Sequence, residues 1–492
     1  MQEASWLAVG FEIALLVGAL AVLLVAVVAG KSPKYWAPVA GFAFLAAAAI
    51  GVLQWGAVSN GDGGLFFSAA GVSIALSPMV VMDGLSAFGS ILLGLVGFVG
   101  MLGSWDLVSK LKNRAPEFVA LTLLAYAGLH MMIVSPNLVV IFVGLETASI
   151  SFYILAGFMR ESSESDESAL KYFLLGSLAS GMFIYGVALT FAATGSLTIY
   201  GANSIRDFFS TTIITDPGIL LVGLALMLVG ILFKISAAPF HQWAPDVYQG
   251  APSAAVGIMA SGVKIAGFAV LARIFAGGFV AQIDVWAPIM AGIAALSMIV
   301  GTATALVQTD MKRLLAYSGV AHSGYLLAAM VAGIDGVPAM WFYVSTYAFM
   351  IIGAFTVVSI VCGPGSTSAP ISAFKGLAKR DPLMGWLLTV LMFGMSGLPF
   401  FAGFVGKVFA FVSAGEAGYL WLALVGALTT VVGFAFYLRI VSMLFSSPDD
   451  SKTPLRVSVP ARIAVAISGV VTVAFGIVPW PLLDVVREAL PL

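Results

Sequence analysis

Apolar runs of about twenty residues alternate with short polar connections from one end of the 492-residue chain to the other. A helix needs about 20 apolar residues to cross hydrocarbon. That ruler predicts fourteen spans, at 6–29, 36–56, 84–105, 117–134, 137–159, 170–192, 218–239, 252–275, 286–307, 313–332, 338–362, 382–414, 417–445 and 460–481. The longest connections, 57–83 and 193–217, leave no room for a soluble domain. The expected architecture is an all-α polytopic membrane bundle.

Two of these runs carry an interruption. The seventh runs into "SAAPF" (236–240) and the twelfth contains "SGLPF" (396–400), with Ser, Pro and Phe at the same offsets. Proline inside a helix removes a hydrogen bond and clashes with the preceding turn. At membrane depth the freed backbone groups need protein or water around them. Five spans separate the two motifs, so the second runs through the membrane in the opposite direction. Paired interruptions in two inverted halves point to a transporter-type bundle that handles ions near the breaks.

Composition narrows the chemistry. Apolar residues make up 61% of the chain and charged residues 9%, with a mean hydropathy of +1.07, beyond what a water-soluble domain accommodates. A single cysteine, Cys362, excludes a disulfide framework, and with only three histidines it is too little for most metal or iron–sulfur sites. Redox chemistry therefore falls to another chain. The net charge of −1 gives no reason to expect nucleic acid as a partner. The start "MQEASW" lacks a basic segment, so 6–29 reads as a retained span and not as a cleaved signal.

Of the 22 Lys and Arg, fifteen fall in the connections after odd-numbered spans, from Lys31 and Lys34 through Arg160 to Lys452, Arg456 and Arg462. The other side holds three, Arg206, Arg273 and Arg487. This bias predicts both termini on the outer side. Four remain inside spans: Lys234, Lys264, Lys407 and Arg439. Among acidic residues only Glu146 lies deep within one, because Glu12 and Glu117 fall near span ends.

A charge at mid-membrane costs roughly 2.5–3.5 kcal/mol or more, so it normally faces a partner or a hydrated cavity. At about 1.5 Å per residue, Glu146 lies roughly 14 Å and Lys264 roughly 18 Å into their spans. Snorkelling to the headgroups does not reach from there, but it does account for Arg439. Lys234 and Lys407 sit beside the two breaks, where water enters a bundle most readily. A buried amine releases its proton more easily than an exposed one, and a nearby carboxylate opposes that release. Such a lysine is suited to loading and unloading protons, and moving Glu146 relative to Lys234 would drive the change. His322 and His241 are candidate relays, since imidazole passes a proton between its two nitrogens, although a lone histidine in a helix is more often a packing residue. His130 reads as packing. The polar turn "RESSESDESALK" (160–171) suggests a helix cap at Asp166, and Trp36, Trp55, Trp105 and Trp243 suggest interfacial anchors.

The segments "LKYFLLGSLASGMFIYG", "FKISAAPFHQWAPDVYQGAP", "DMKRLLAYSGVAHSGYLL" and "FKGLAKRDPLMGWLLTVLMFGMSGLPFFAGFVGK", with the fourteen-span layout, resemble the antiporter-like membrane subunit family of NADH-quinone oxidoreductase (respiratory complex I), in its subunit N form. The resemblance covers about residues 80 to 445. It implies two inverted five-helix repeats, spans 4–8 (117–275) and 9–13 (286–445), preceded by three helices (1–116) and followed by a last helix and tail (460–492). By motif position it implies proton transfer through Glu146, Lys234, Lys264 and Lys407, with His322 typical of the N form. It also implies proton translocation driven by quinone reduction in partner membrane-arm subunits. NADH, FMN, Fe–S clusters and quinone would be held by those partners, and no cofactor or metal by this chain, in a bacterial inner membrane. Ala254, Phe400, Thr147 and Ala148 depart from the usual pattern without removing an ionisable group. A subunit of a multisubunit Na+/H+ antiporter or of a membrane-bound hydrogenase is the alternative. A structural subunit whose buried charges only fix packing is a third class, against which the complete set of four residues argues.

Overall fold

Helices apolar on most faces can settle only against lipid or one another, and a computed structural model shows them packed on one another with many large apolar side chains left exposed. It describes residues 6–30, 32–66, 78–159, 161–211, 218–447 and 455–490. Lys31, Arg160 and Lys452, which entered the orientation argument, lie outside the described residues, as does the Lys34 side chain.

The principal helices are α1 (Gly10–Val28), α2 (Pro33–Ser59), α3 (Gly84–Gly103), α4 (Ala115–Val134), α5 (Leu138–Ala156), α6 (Ser163–Thr194), α7 (Gly218–Lys234), α8 (Trp243–Gly250), α9 (Ser253–Leu271), α10 (Ile283–Leu306), α11 (Met311–Met330), α12 (Val337–Cys362), α13 (Pro382–Ser396), α14 (Ala402–Glu416), α15 (Leu420–Phe445) and α16 (Val459–Ile477). Each of the fourteen predicted runs contains helix. Among the described residues, eleven helices are long and apolar enough to cross a membrane. The runs that fall short are the two interrupted ones and α11, which carries Lys312, Arg313 and His322. The connection 57–83 also contains a short antiparallel pair, β1 (Gly64–Phe66) against β2 (Val80–Met82), that the sequence did not suggest.

Side chains at the helix starts fix the ends. Asp83 accepts from Ser86 N at 2.8 Å and caps α3, Asn137 caps α5, and Asp310 caps α11. Ser162 caps α6, whereas Asp166 lies in its first turn, so the cap expected at Asp166 belongs four residues earlier. Consecutive helices pack as neighbours, α2 on α3, α4 on α5, α6 on α7 and α10 on α11. At the centre, α9 packs on α12, and every residue of α9 is buried.

Three expectations change at this level. Trp36 and Trp243 are enclosed, and Trp243 Nε1 donates to Phe233 O at 3.0 Å, so they are core residues and not interfacial anchors. Arg439 donates to Leu306 O at 3.0 Å and Gln308 O at 2.7 Å, closing the carbonyl end of α10. Its charge meets the negative end of a helix instead of reaching past the bundle to headgroups. Arg273, expected in an outer connection, is fully buried in a π-helical turn (Ala272–Gly278) that continues α9.

Candidate functional site

The two interrupted helices organise the polar interior. Helix α7 ends at Lys234, and Ser236 takes a left-handed φ of 58°. The groups released there find side-chain partners. Ala238 N donates to Ser297 Oγ at 2.9 Å. Ile235 O accepts from Lys264 Nζ at 3.0 Å and from Ser323 Oγ at 2.5 Å. Helix α13 ends at Ser396, where Gly397 has φ 84° and Phe400 φ 74°. Lys407 Nζ donates to Met395 O at 3.2 Å and Ser396 O at 2.9 Å. At each break, therefore, an ammonium rests on the carbonyl end of the first half-helix, where the helix dipole favours a cation.

Lys264 is 3% exposed. Besides Ile235 O it donates to Gly319 O at 2.8 Å and to Ser323 Oγ. Ser323 gives its own hydrogen to Ile235 O, so it faces Lys264 as an acceptor. Three acceptors match the three N–H bonds of an ammonium. The Tyr347 ring lies 5.6 Å from the same nitrogen and 4.7 Å from the ring of His322.

His322 is enclosed, with Nδ1 2.7 Å from Tyr343 OH and Nε2 3.2 Å from Tyr437 OH. Tyr437 OH in turn meets Ser318 Oγ. Both imidazole nitrogens thus face hydroxyls that donate or accept, the arrangement a relay requires. His322 lies in electrostatic range of both Lys264 and Lys407, and Lys407 Nζ stands 4.6 Å over the Tyr325 ring.

At the end of α7, Lys234 Nζ lies 5.5 Å from the Tyr153 ring and 5.4 Å from the Tyr172 ring. It interacts electrostatically with Glu146, but the two are not among the ion pairs closer than 4.0 Å. Lys234 Nζ, Glu146 Oε1 and Tyr172 OH are all buried without a protein hydrogen-bond partner. Buried polar atoms left without partners cost about 1–3 kcal/mol each, a cost that water among these three would relieve.

Glu146 thus faces Lys234, and Lys264 and Lys407 flank His322. Lys264 also bonds Ile235 O, the residue after Lys234, so the two groups are joined through the chain at the first break. His241 belongs to neither group. It lies half-buried in the segment between α7 and α8, with its ring 6.2 Å from that of Tyr317. Beside it, α8 is tied to both halves of the bundle: Asp246 pairs with Lys171 of α6 at 2.9 Å and with Arg313 of α11 at 2.7 Å. Partial burial pushes the Asp246 carboxyl up, but its bonds to Arg313 and Lys171 outweigh that and hold it below the usual carboxylate range. Lys312, fully enclosed, donates to Gln249 O at 2.5 Å, Ala251 O at 2.7 Å and Ser366 O at 3.0 Å. Among the described residues, no three His, Cys, Asp or Glu side chains gather to hold a metal ion.

Sequence reading missed the tyrosines at 325, 343, 347 and 437 and the serines at 318 and 323. A hydroxyl in an apolar run carries no charge to flag it. The one available signal was the crowding of "AYSGVAHSGY" around His322.

Comparisons with known proteins agree on a lineage. Residues 135–433 match the family model described as NADH:quinone oxidoreductase/Mrp antiporter, TM. NADH-quinone oxidoreductase subunit N of Trichlorobacter lovleyi is 36% identical over 484 residues, 98% of this chain and 96% of the relative. Subunit N 1 of Solibacter usitatus is 35% identical over 414 residues, 83% of this chain and 84% of its own. A chain of respiratory complex I from Thermus thermophilus superposes with a TM-score of 0.80 at 34% identity, covering 96% of this chain and 98% of that one. The Mrp complex of Dietzia superposes with a TM-score of 0.84 at 21% identity, over 98% of this chain and 97% of that one, which shows a shared fold.

Proposed function

Because this chain belongs to the NADH:quinone oxidoreductase/Mrp antiporter transmembrane family, we propose that it is the N-type membrane-arm subunit of an NADH-quinone oxidoreductase and carries protons across the bilayer. Quinone reduction in partner subunits supplies the drive, and those partners hold the NADH, FMN, Fe–S and quinone sites. The observation that supports the reading is an ammonium on the carbonyl end of each broken helix, Lys264 on Ile235 O and Lys407 on Met395 O and Ser396 O. We read Glu146, Lys234, Lys264, His322 and Lys407 as one proton line across these breaks.

Each residue has a distinct part. Lys234, without a protein hydrogen bond and near Glu146, is the group whose proton affinity changes most when the carboxylate moves or is neutralised. Lys264, fully matched by three acceptors, stores the proton. His322 passes it between Tyr343 and Tyr437 toward Lys407, which stands at the second break. His241, half-buried at the first break, delivers protons to it. In this reading residues 117–275 and 286–445 are the two inverted repeats, flanked by 1–116 and 460–492, and both termini face the outside of a bacterial inner membrane.

Relatives named subunit N that match nearly end to end support this reading over a multisubunit Na+/H+ antiporter. Co-purification separates the two: flavin and iron–sulfur subunits accompany the first, membrane subunits alone the second. The mechanism is tested by the proton-to-electron ratio of the reconstituted complex bearing Glu146→Gln or Lys234→Ala. A lowered ratio at full assembly is expected, and an unchanged ratio refutes these roles.

A further inference from the structure

A second buried titratable pair lies outside the line, at the end of the bundle where the chain begins. Glu12, in the first turn of α1, places Oε1 2.6 Å from Nδ1 of His130, near the end of α4. His130 is fully enclosed, its ring stacked 3.9 Å from that of Phe11 at 12°. Its Nε2 lies 2.6 Å from Ser90 Oγ of α3. Ser90 Oγ is also 2.7 Å from Gln54 Oε1 of α2 and 2.8 Å from Ser86 O. The Gln54 amide is oriented by Nε2, which donates to Leu7 O at 2.8 Å.

Counting hydrogens fixes the state of the pair. Ser90 has one hydroxyl hydrogen and three close neighbours, of which Gln54 Oε1 and Ser86 O only accept. Turning the Gln54 amide over would set its oxygen against Leu7 O, so that escape is closed. If Ser90 donates to Nε2, Gln54 Oε1 is left facing another oxygen at 2.7 Å with no hydrogen between them. If Ser90 instead donates to Gln54 Oε1, it must accept from an N–H at Nε2. Nδ1 and Glu12 Oε1 then hold a further hydrogen between them, so the pair carries a proton. Only this second arrangement places a hydrogen in both the Ser90–Gln54 and the Ser90–His130 contact.

We propose that Glu12 and His130 form a proton-binding site, loaded in this structure and separate from the Glu146–Lys407 line. In the unloaded state the imidazole keeps its Nδ1–H on the Glu12 carboxylate and accepts from Ser90 at Nε2. On loading, one proton binds at Nε2 and Ser90 turns its hydrogen to Gln54 Oε1. On release, Nε2 loses that proton and Ser90 turns back to donate to it. The Glu12 side chain is 12% exposed, which brings the pair to the edge of the bundle, while its Oε2 is buried without a protein partner. Inward, Tyr126 lies one turn from His130 on α4. Its hydroxyl donates to Ile258 O at 3.2 Å and lies in hydrogen-bonding range of Ser261, one turn before Lys264 on α9. The site is thus placed to exchange protons with the Lys264 end of the line. The other charged groups near it are the Arg273–Asp83 pair, with Arg273 Nε on Ile133 O, while Glu146 of α5 is turned toward Lys234. From α2 and α3 only the neutral Gln54, Ser86 and Ser90 face it.

The test is a pH-titrated infrared difference spectrum of the whole purified complex. The wild type is expected to show a coupled carboxyl and imidazole change for a single proton, absent in both Glu12→Gln and His130→Gln and retained in Lys264→Met. Assembled Glu12→Gln and His130→Gln complexes that keep the wild-type spectrum would overturn the proposal. Should neither assemble, Gln54→Leu decides: it frees the Ser90 hydrogen for Nε2 and weakens proton retention. The midpoint of the same change is then expected at lower pH, and an unmoved midpoint contradicts the proposal. Because the signal survives in Lys264→Met, it is independent of whether the central line pumps.

Discussion

Ser323 Oγ donates to Ile235 O at 2.5 Å and accepts from Lys264, so one hydroxyl joins α11, the break after α7 and the lysine of α9. Ser323→Ala leaves the size of the site nearly unchanged and removes this bridge. Losing a hydrogen bond to a charged group is expected to cost about 1.5–3 kcal/mol. The assembled complex should show proton translocation slowed by roughly fivefold or more, measured in proteoliposomes against unchanged assembly on a native gel.

Gly397 ends α13 with φ 84°, and a Cβ there would stand 3.0 Å from Lys407 Cδ and 3.1 Å from its Nζ. A left-handed residue with a side chain costs roughly 1–2 kcal/mol, and here it also pushes the lysine from the carbonyls of Met395 and Ser396. Gly397→Ala is therefore expected to lower both the thermal stability of the complex and its proton-to-electron ratio.

Arg273 grips Asp83 through two bonds of 2.8 Å, with both side chains enclosed. Removing one partner of a buried pair strands the other charge and costs about 3–5 kcal/mol. Arg273→Met alone should abolish assembly or leave a complex that dissociates on mild heating. Arg273→Met with Asp83→Asn, which keeps an acceptor for Ser86 N, should be markedly milder. Subunit content after heating, compared across the single and double variants, checks this.

The clamp at Asp246 responds to acid in a defined direction. Its carboxyl is held below its ordinary range, so its contribution is fully present above the unfolded value and lost as pH falls through the lower folded one. The tie between α6, α8 and α11 should be constant at neutral pH and weaken only in strong acid, below about pH 4. With its partners partly exposed the clamp is expected to contribute no more than about 1 kcal/mol. Asp246→Asn should lower the stability seen in thermal melts at neutral pH by that amount, and its difference from the wild type should disappear as pH falls below about 4.

The runs of apolar residues were enough to place every principal helix except the short α8, because length and hydropathy are set locally. Pro239 and Pro399 marked the two breaks for the same reason. The buried charges at 146, 234, 264 and 407 stood out against so apolar a chain. What they touch was not legible: Lys264 reaches Gly319 across 55 residues and Arg273 reaches Asp83 across 190. Arg273 looked like a connection residue because its π-helical turn ends a run, and only packing shows that the turn is enclosed. Glu12 and His130 looked like an end-of-span carboxylate and a packing histidine for the same reason, with 118 residues between them.

The central claim is that Lys264 is a proton-carrying member of the buried line. Its most direct test is the proton-to-electron ratio of the reconstituted complex bearing Lys264→Met, in preparations with normal subunit content. The account predicts a ratio below that of the wild type while NADH oxidation continues; a wild-type ratio would contradict it.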